Sequence, residues 1–321
     1  MKPDHPTPMK VRPKTMIQNS STDSIRALLK NSKNIAIASH IRPDGDAIGS
    51  LLGLGLALIA AGKHVSMILI DGFSSSFNYL PGSKQIVRSM PINIDFDVTI
   101  SLDASDLERL GDVFGDRGID LNIDHHITNT FFGKLNFVDA EAVATSAILA
   151  EQLENWGLSI SLNSAIALLY GIVTDSIGFR TSNMNAKAMR LAALLMDKGA
   201  DLPEIYNAAL VNRSFEQINY WGYAIQKMQR KDRITWTYLS LADRQKAGYN
   251  GNDDADLNTL ISSLTDTDIT VLFIEQTNNH VKVSWRPKPG INISSLALSL
   301  GGGGHPAAAG ADIQGSLTDV Q

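Results

Sequence analysis

Between Asn34 and Gly62 the chain passes from a short apolar run, NIAIAS, through a polar loop, HIRPDGD, into a stretch from Ala47 to Gly62 that carries no charge. An apolar run without polar alternation suits a strand buried on both faces, and an uncharged helix beside it must be buried as well. The Ala47–Gly62 stretch is glycine-rich and bounded by Asp46 and Lys63. It is shorter than the roughly 20 apolar residues of a membrane span, so it reads as a core helix.

The same alternation continues. A helix is expected at Asp23–Lys30 before the Asn34–Ser39 strand, then strands at Val65–Ile70, Phe96–Leu102 and Ile119–Ile123. Helices follow at Val143–Trp156, Ser161–Thr174 and Asn185–Lys198, with Asn185 as an N-cap and Gly157 and Gly199 at C-caps. Short buried strands alternating with helices predict an α/β fold, a doubly wound and mostly parallel sheet. Beyond Asp201, two helices (Leu202–Leu210 and Ser214–Arg230) read as a connector. A smaller α/β unit follows, with strands at Ile234–Leu241, Ile269–Glu275 and Val281–Trp285 and helices at Ala255–Leu264 and Ile293–Leu300. The expected domains are a disordered leader over 1–20, a first domain over 21–200, a helical connector over 201–231 and a second domain over 232–321. The N-terminus, MKPDHPTPMKVRPKT, lacks the apolar core of a secretory signal.

The 321 residues include 28 Lys+Arg against 33 Asp+Glu, a net charge of −5, which argues against a broad basic face for duplex nucleic acid. With no Cys, thiolate catalysis and sulfur-ligated metals are excluded, and any metal falls to His and carboxylates. A cytoplasmic location is compatible with this.

In an open parallel sheet, ligands sit beyond the carboxyl ends of the strands. His40, Asp44 and Asp46 follow the first strand, Asp103 the third, and Asp124, His125 and His126 the fourth. So many carboxylates on one rim repel one another unless a cation lies among them. Imidazole and carboxylate without sulfur suit manganese, magnesium, iron or cobalt, and the number of acids exceeds what one ion needs. Taken singly, each acid reads as a turn former or helix cap, and Asp46 as a cap for the helix from Ala47. Capping needs no histidine, however, and the set resists that reading. His64, alone at a strand entrance, reads as structural. Asp175 ends the apolar helix ALLYGIVTD, where the helix dipole disfavours a negative charge unless a cation is near. The run Gly301–Gly304 before His305 reads either as a flexible loop or as a backbone that approaches a ligand closely, and Arg286 at a strand end suits a phosphate.

These residues resemble the motifs of the DHH phosphoesterases: His40-Ile41-Arg42-Pro43-Asp44-Gly45-Asp46, Asp103, Asp124-His125-His126 and Asp175. Gly301–Gly304 with His305 and Ala308-Ala309-Gly310 resembles the glycine-histidine motif of the DHH-associated C-terminal domain. The resemblance spans about residues 21–321. Its compact two-domain layout is most similar to the oligoribonuclease and pAp phosphatase group, which degrades short RNA to mononucleotides and removes the 3′-phosphate of adenosine 3′,5′-bisphosphate (pAp). It implies two divalent ions, manganese first with magnesium or cobalt compatible. One would be held by His40, Asp44, Asp103 and Asp175, the other by Asp46, Asp103, His125 and Asp175. Catalysis would rest on Asp103, Asp124, His125, His126 and Asp175. His126 would face the substrate phosphate, with Arg286, Gly302, Gly303, Gly304 and His305 holding the nucleotide. The expected partners are short single-stranded RNA or small nucleotides, with no duplex DNA, no membrane and room for a homodimer. One departure is Ser284-Trp285-Arg286-Pro287, where relatives read Ser-Leu-Arg-Ser; Pro287 replaces a hydroxyl.

Two other readings compete. A cyclic or linear dinucleotide phosphodiesterase would carry the same two domains. A non-catalytic nucleotide-binding regulator would be expected to lack a metal ligand, and none is missing. Manganese pyrophosphatases would carry a Ser-Arg-Lys-Lys type motif, absent here, and RecJ-type exonucleases would need a longer chain.

Overall fold

A computed structural model describes residues 19–305 and 308–321, without the side chains of Ser75 and His305. The chain divides into two units between Asn212 and Arg213.

The first unit is built in the order α1 (Thr22–Asn31), β1 (Asn34–Ser39), α2 (Gly45–Ala60), β2 (His64–Ile68), β3 (Ile86–Val87), β4 (Val98–Leu102), β5 (Leu121–Asp124), β6 (Leu135–Val138), α3 (Thr145–Gln152), α4 (Leu162–Asp175), α5 (Ala186–Asp197) and α6 (Leu202–Tyr206). The strands form one sheet in the order β3-β2-β1-β4-β5-β6, parallel throughout. β1 alternates between two cores. Ile35 and Ile37 enter a large core with residues of α1 to α5, while Ala36 and Ala38 enter a thinner one with Phe96, Leu110, Phe114 and Ile119. Long helices thus cover one face, and the turns around Glu108–Leu110 and Gly115–Arg117 cover the other. Register places the chemistry: Ser39 lies beside Leu102, and Leu102 beside Ile123. The residues that follow, His40, Asp103 and Asp124, therefore emerge together at the carboxyl rim.

The glycines of α2 have a specific use. A Cβ at Gly49 would lie 2.8 Å from Gly171 Cα, and one at Gly45 would meet the side chain of Thr174. Helices α2 and α4 thus touch backbone to backbone, which draws Asp46 and Asp175 to one place. Gly157 and Gly199 have positive φ, as helix ends require, but the helix before Gly157 stops at Gln152 and turns irregularly through Trp156.

The second unit runs α7 (Phe215–Gln226), β7 (Gln229–Lys231), β8 (Ile234–Leu239), α8 (Leu241–Ala247), α9 (Leu257–Ile261), β9 (Ile269–Gln276), β10 (His280–Pro287), α10 (Ser294–Ser299), β11 (Gly303–His305), β12 (Ala308–Gln314) and α11 (Leu317–Val320). Its mixed sheet has the order β11-β12-β10-β9-β8-β7, with β8 and β9 parallel. Alternate residues of β9 feed its two faces, Leu272 and Ile274 one core, Val271 and Phe273 the other.

The helices expected as a connector are shared between the units. Ile205 of α6 is buried in the first core, and the π-helical turn Asn207–Val211 follows it, whereas Tyr220 and Ala224 of α7 are buried in the second. The leader lies outside the described residues except for Asn19 and Ser20. Both are hydrogen-bonded to β6: Asn19 Nδ2 donates to Val138 O at 2.8 Å, and Ser20 N to Asn136 O at 2.8 Å.

Candidate metal centre

His40 follows β1 and is buried. Its Nδ1 donates to Ile41 O at 2.9 Å, which leaves Nε2 to face the carboxylates. Nε2 stands 3.7 Å from Asp44 Oδ2 and 3.6 Å from Asp103 Oδ2. His125 repeats the arrangement: Nδ1 lies 3.3 Å from Ala142 O, while Nε2 faces Asp103 Oδ1 at 3.5 Å and Asp175 Oδ2 at 3.7 Å. Holding one ring nitrogen on a backbone carbonyl and aiming the other at carboxylates is the preparation that metal-binding histidines show.

The acids are fixed with equal care. Asp44 is the N-cap of α2, its Oδ1 accepting from Asp46 N and Ala47 N at 3.1 and 3.0 Å. This corrects the capping assignment, because Asp46 points elsewhere: it accepts from Thr145 N at 2.6 Å and Ser146 N at 3.0 Å, across the first turn of α3. The Thr145 hydroxyl donates to Asp103 Oδ1 at 2.9 Å, so one residue orients two carboxylates. Asp103 itself takes a left-handed backbone, φ 56°. Gly171 makes room in α4, since a Cβ there would collide with Ser146 Oγ and lie 2.7 Å from Asp46 Oδ1.

His125 and His126 diverge. His126 Nδ1 pairs with Asp124 Oδ1 at 2.7 Å, and the other oxygen of fully buried Asp124 accepts from Asn129 Nδ2 at 2.6 Å. Asn129 also donates to Ala104 O, so the relay Asn129–Asp124–His126 is anchored to the chain that follows β4. Asp124 thus orients His126, whose Nε2 is left for other partners. His64 pairs with Asn34 on the sheet, outside this cluster.

The electrostatics ask for positive charge. Burial works against a charged His40, yet Asp103 and Asp44 outweigh it and lift its pKa to about 10. For His126, burial is likewise overcome by Asp124, and the pKa rises to about 9. Burial and the neighbouring Asp103 push Asp46 well above the carboxylate range, and burial with Asp103 and Asp44 pushes Asp175 up to about 7. At Asp44 desolvation acts upward, but His40 and two backbone N–H groups bring it down to about 2. His40, His126, Asp46 and Asp175 thus gather protons where cations would otherwise sit.

Among the described residues three sets bring their ligand atoms within 4.8 Å of one another: His40, Asp44 and Asp103; Asp46, His125 and Asp175; and Asp103, His125 and His126. The donors are oxygen and imidazole nitrogen only, which suits hard or borderline divalent ions.

In the second unit, Arg286 is half-buried in β10, its Nη1 donating to Trp285 O at 3.0 Å, and Pro287 closes the strand. Burial lowers the Arg286 pKa and Asp254 opposes it. The glycine run lies partly in a strand. A Cβ at Gly302 would strike Gly310 O, and one at Gly304, φ 136°, would lie 2.5 Å from Ala308 O. Those two glycines are required by the approach of β12, while Gly303 faces open space. His305 ends β11.

A parallel sheet with paired His-Asp clusters on its carboxyl rim, followed by a mixed-sheet unit, is the architecture of a DHH phosphoesterase. The chain matches the DHH family, N-terminal domain, over residues 34–172 and the DHHA1 domain over residues 235–320, and it belongs to this family. It is similar to the bifunctional oligoribonuclease and PAP phosphatase NrnA of Thermus thermophilus, 32% identical over 88% of this chain and 84% of that one. The protein of the same name from Mycoplasma genitalium is 29% identical over 93% of this chain and 94% of its own. A crystal structure of an exopolyphosphatase-related protein from Bacteroides fragilis superposes with a TM-score of 0.86 at 26% identity, covering 93% and 92% of the two chains. No helix among the described residues is long and apolar enough to cross a membrane.

Proposed function

We propose that the protein is a two-metal phosphoesterase that hydrolyses short oligoribonucleotides to mononucleotides and pAp to AMP. The observation that carries this reading is the adjacency of two ligand sets on one rim, His40/Asp44/Asp103 and Asp46/His125/Asp175. The activities named for the relatives from Thermus and Mycoplasma support the choice of substrates. One ion would be held by His40, Asp44, Asp103 and Asp175 and the second by Asp46, Asp103, His125 and Asp175, with manganese the metal of choice. When bound, such ions supply Lewis acidity, making water nucleophilic at neutral pH and neutralising phosphoryl oxygens.

The chain's own groups do the rest. The α3 first turn holds Asp46, and Thr145 holds Asp103, so both carboxylates would meet a divalent ion without rearranging. Asp124 fixes the Nδ1 side of His126 and leaves Nε2 to contact a phosphate oxygen. Arg286, Gly302, Gly303, Gly304 and His305 are assigned to nucleotide binding in the domain over 232–321, with the first domain over 21–200 performing the chemistry. The protein is assigned to the cytoplasm.

The test is purified protein with manganese, magnesium or chelator, assayed on pAp, dinucleotides, a five-mer, long RNA and cyclic di-AMP. The proposal expects metal-dependent turnover of pAp and the short RNAs, falling with length. Turnover of cyclic di-AMP alone would favour the dinucleotide phosphodiesterase reading, and full activity in chelator would refute the metal assignment.

A further inference from the structure

Three arginines, Arg42, Arg88 and Arg109, follow β1, β3 and β4 at the carboxyl ends of the first sheet. Among the described residues, the guanidinium groups of Arg42, Arg88 and Arg109 have no carboxylate within the 4.0 Å of an ion pair, unlike Arg26, Arg117, Arg213, Arg230 and Arg233; Arg180, Arg190, Arg244 and Arg286 share this, and what sets the three apart is their place after β1, β3 and β4. They are joined by an unbroken series of contacts. Ile41 N donates to Arg109 O at 2.7 Å. The next residue, Arg42, donates its N–H to Asp71 Oδ2 at 2.8 Å. Beside Asp71 is Gly72, φ 67°, and the Arg88 guanidinium lies over it, occupying the space a Cβ would need. Beneath the strip, the side chains of Ile41 and Ile70 close over Gly111.

Sheet register fixes the direction. Ala38 of β1 and Val87 of β3 both pair with Ile68 of β2. Neighbouring strands are about 4.8 Å apart, so the chain at Arg88 leaves the sheet about 10 Å from the strand that presents His40. The acids in the same segments, Asp71, Asp106 and Glu108, balance the three arginines in number, so the strip offers guanidinium donors rather than a net positive field. Asp71 is engaged by the Arg42 N–H, and Asp106 accepts from Arg109 N at 3.0 Å and Ser105 Oγ at 2.9 Å. Asp71 and Glu108 are exposed, so the strip is not a broad basic face for a duplex.

We propose that Arg109, Arg42 and Arg88 form a track for the backbone phosphates of an RNA strand beyond the phosphate being cleaved. An oligoribonucleotide of three or more residues reaches Arg88, and pAp does not. Contacts to phosphate position a strand without reading its bases, so the track acts on any sequence. This inference rests on the oligoribonuclease reading and adds the means by which the same rim separates its two substrate classes.

The test uses Arg88→Ala, Arg88→Lys and Arg88→Glu in the full chain with its metal, with steady-state kinetics on pAp, a dinucleotide and a five-mer. Arg88 is exposed, so folding is not at stake. For Arg88→Ala the five-mer KM is expected to rise roughly three- to tenfold, more for Arg88→Glu and less for Arg88→Lys, while pAp kinetics stay within about twofold. The salt dependence of five-mer KM should lose roughly 0.7 from its log–log slope. If wild-type protein turns over the five-mer and Arg88→Glu leaves its KM unchanged, or shifts pAp equally, the track is refuted and the proposed function stands. If wild-type protein is inert on every RNA, the oligoribonuclease reading falls and the track with it.

Discussion

Thr145→Val removes one hydroxyl from beneath the metal centre and leaves the shape and the backbone N–H of the residue in place. The lost bond is 2.9 Å long, to Oδ1 of a carboxylate that is almost fully buried, and Thr145 itself is wholly buried. A hydrogen bond to a charged group contributes about 1.5–3 kcal/mol, and losing an outer partner of a metal ligand costs about 10–100-fold in affinity. Both routes give the same size of effect, since tenfold is about 1.4 kcal/mol. Because Asp103 belongs to both proposed ligand sets, both ions should bind more weakly. Manganese titration followed by electron paramagnetic resonance on chelator-stripped protein reads this directly. Thr145→Ser, which keeps the hydroxyl, should restore affinity to within about threefold of wild type. Unchanged manganese affinity in Thr145→Val, or equal loss in both variants, would refute the orienting role.

Asn129→Leu leaves the buried Asp124 with one partner fewer, and should lower kcat with manganese content unchanged, together with a stability loss of about 1–3 kcal/mol; an unaltered kcat by steady-state assay would count against the relay. Gly171→Ala forces a methyl against Ser146 and Asp46, and should cost about 1–3 kcal/mol in denaturant unfolding and weaken metal binding; a stability equal to wild type would contradict the close α2–α4 approach. Metal-free protein should lose stability as pH rises. His40 and His126 have raised folded pKa values, so their contribution is complete below about 6.5 and fades towards 10 and 9. Asp175, raised to about 7, favours folding below its unfolded value near 4 and stops doing so as pH passes 7. Calorimetry in chelator should therefore show Tm falling from pH 6 to 9, with added manganese reversing the trend; a rising Tm in chelator would oppose this.

Much of the rim was legible because strand ends are. NIAIAS can hardly be anything but a buried strand, and a polar residue straight after such a strand falls on the carboxyl edge. His40, Asp103 and Asp124 followed from that, and the parallel register placed them side by side. The division of labour between Asp44 and Asp46 was not legible. Two acids two residues apart both suit a helix start, and only the approach of α3 decides that Asp44 caps while Asp46 turns away. Thr145 and Asn129 carried no signal. Each is an ordinary turn or helix-start residue in sequence, and the Asp103 that Thr145 holds is 42 positions away. The uncharged glycines of α2 were visible as a buried helix, but their purpose depends on Gly171 in another helix.

Strands were missed where local preference is weak. β3 has two residues, and β6 includes a buried Asn136 that breaks the apolar pattern. β12, AAGADIQ, is poor in β-formers and is held by antiparallel pairing with β10. The pairing of β12 with β11 explains why half of the glycine run serves strand packing.

In the proposed centre one rim would hold two ions through a shared Asp103. Equilibrium dialysis of chelator-stripped protein against manganese measures this most directly. Two ions per chain are expected in wild type, with a marked loss of both in Asp103→Asn. Saturation at one ion or none, or two ions retained in Asp103→Asn, would contradict it.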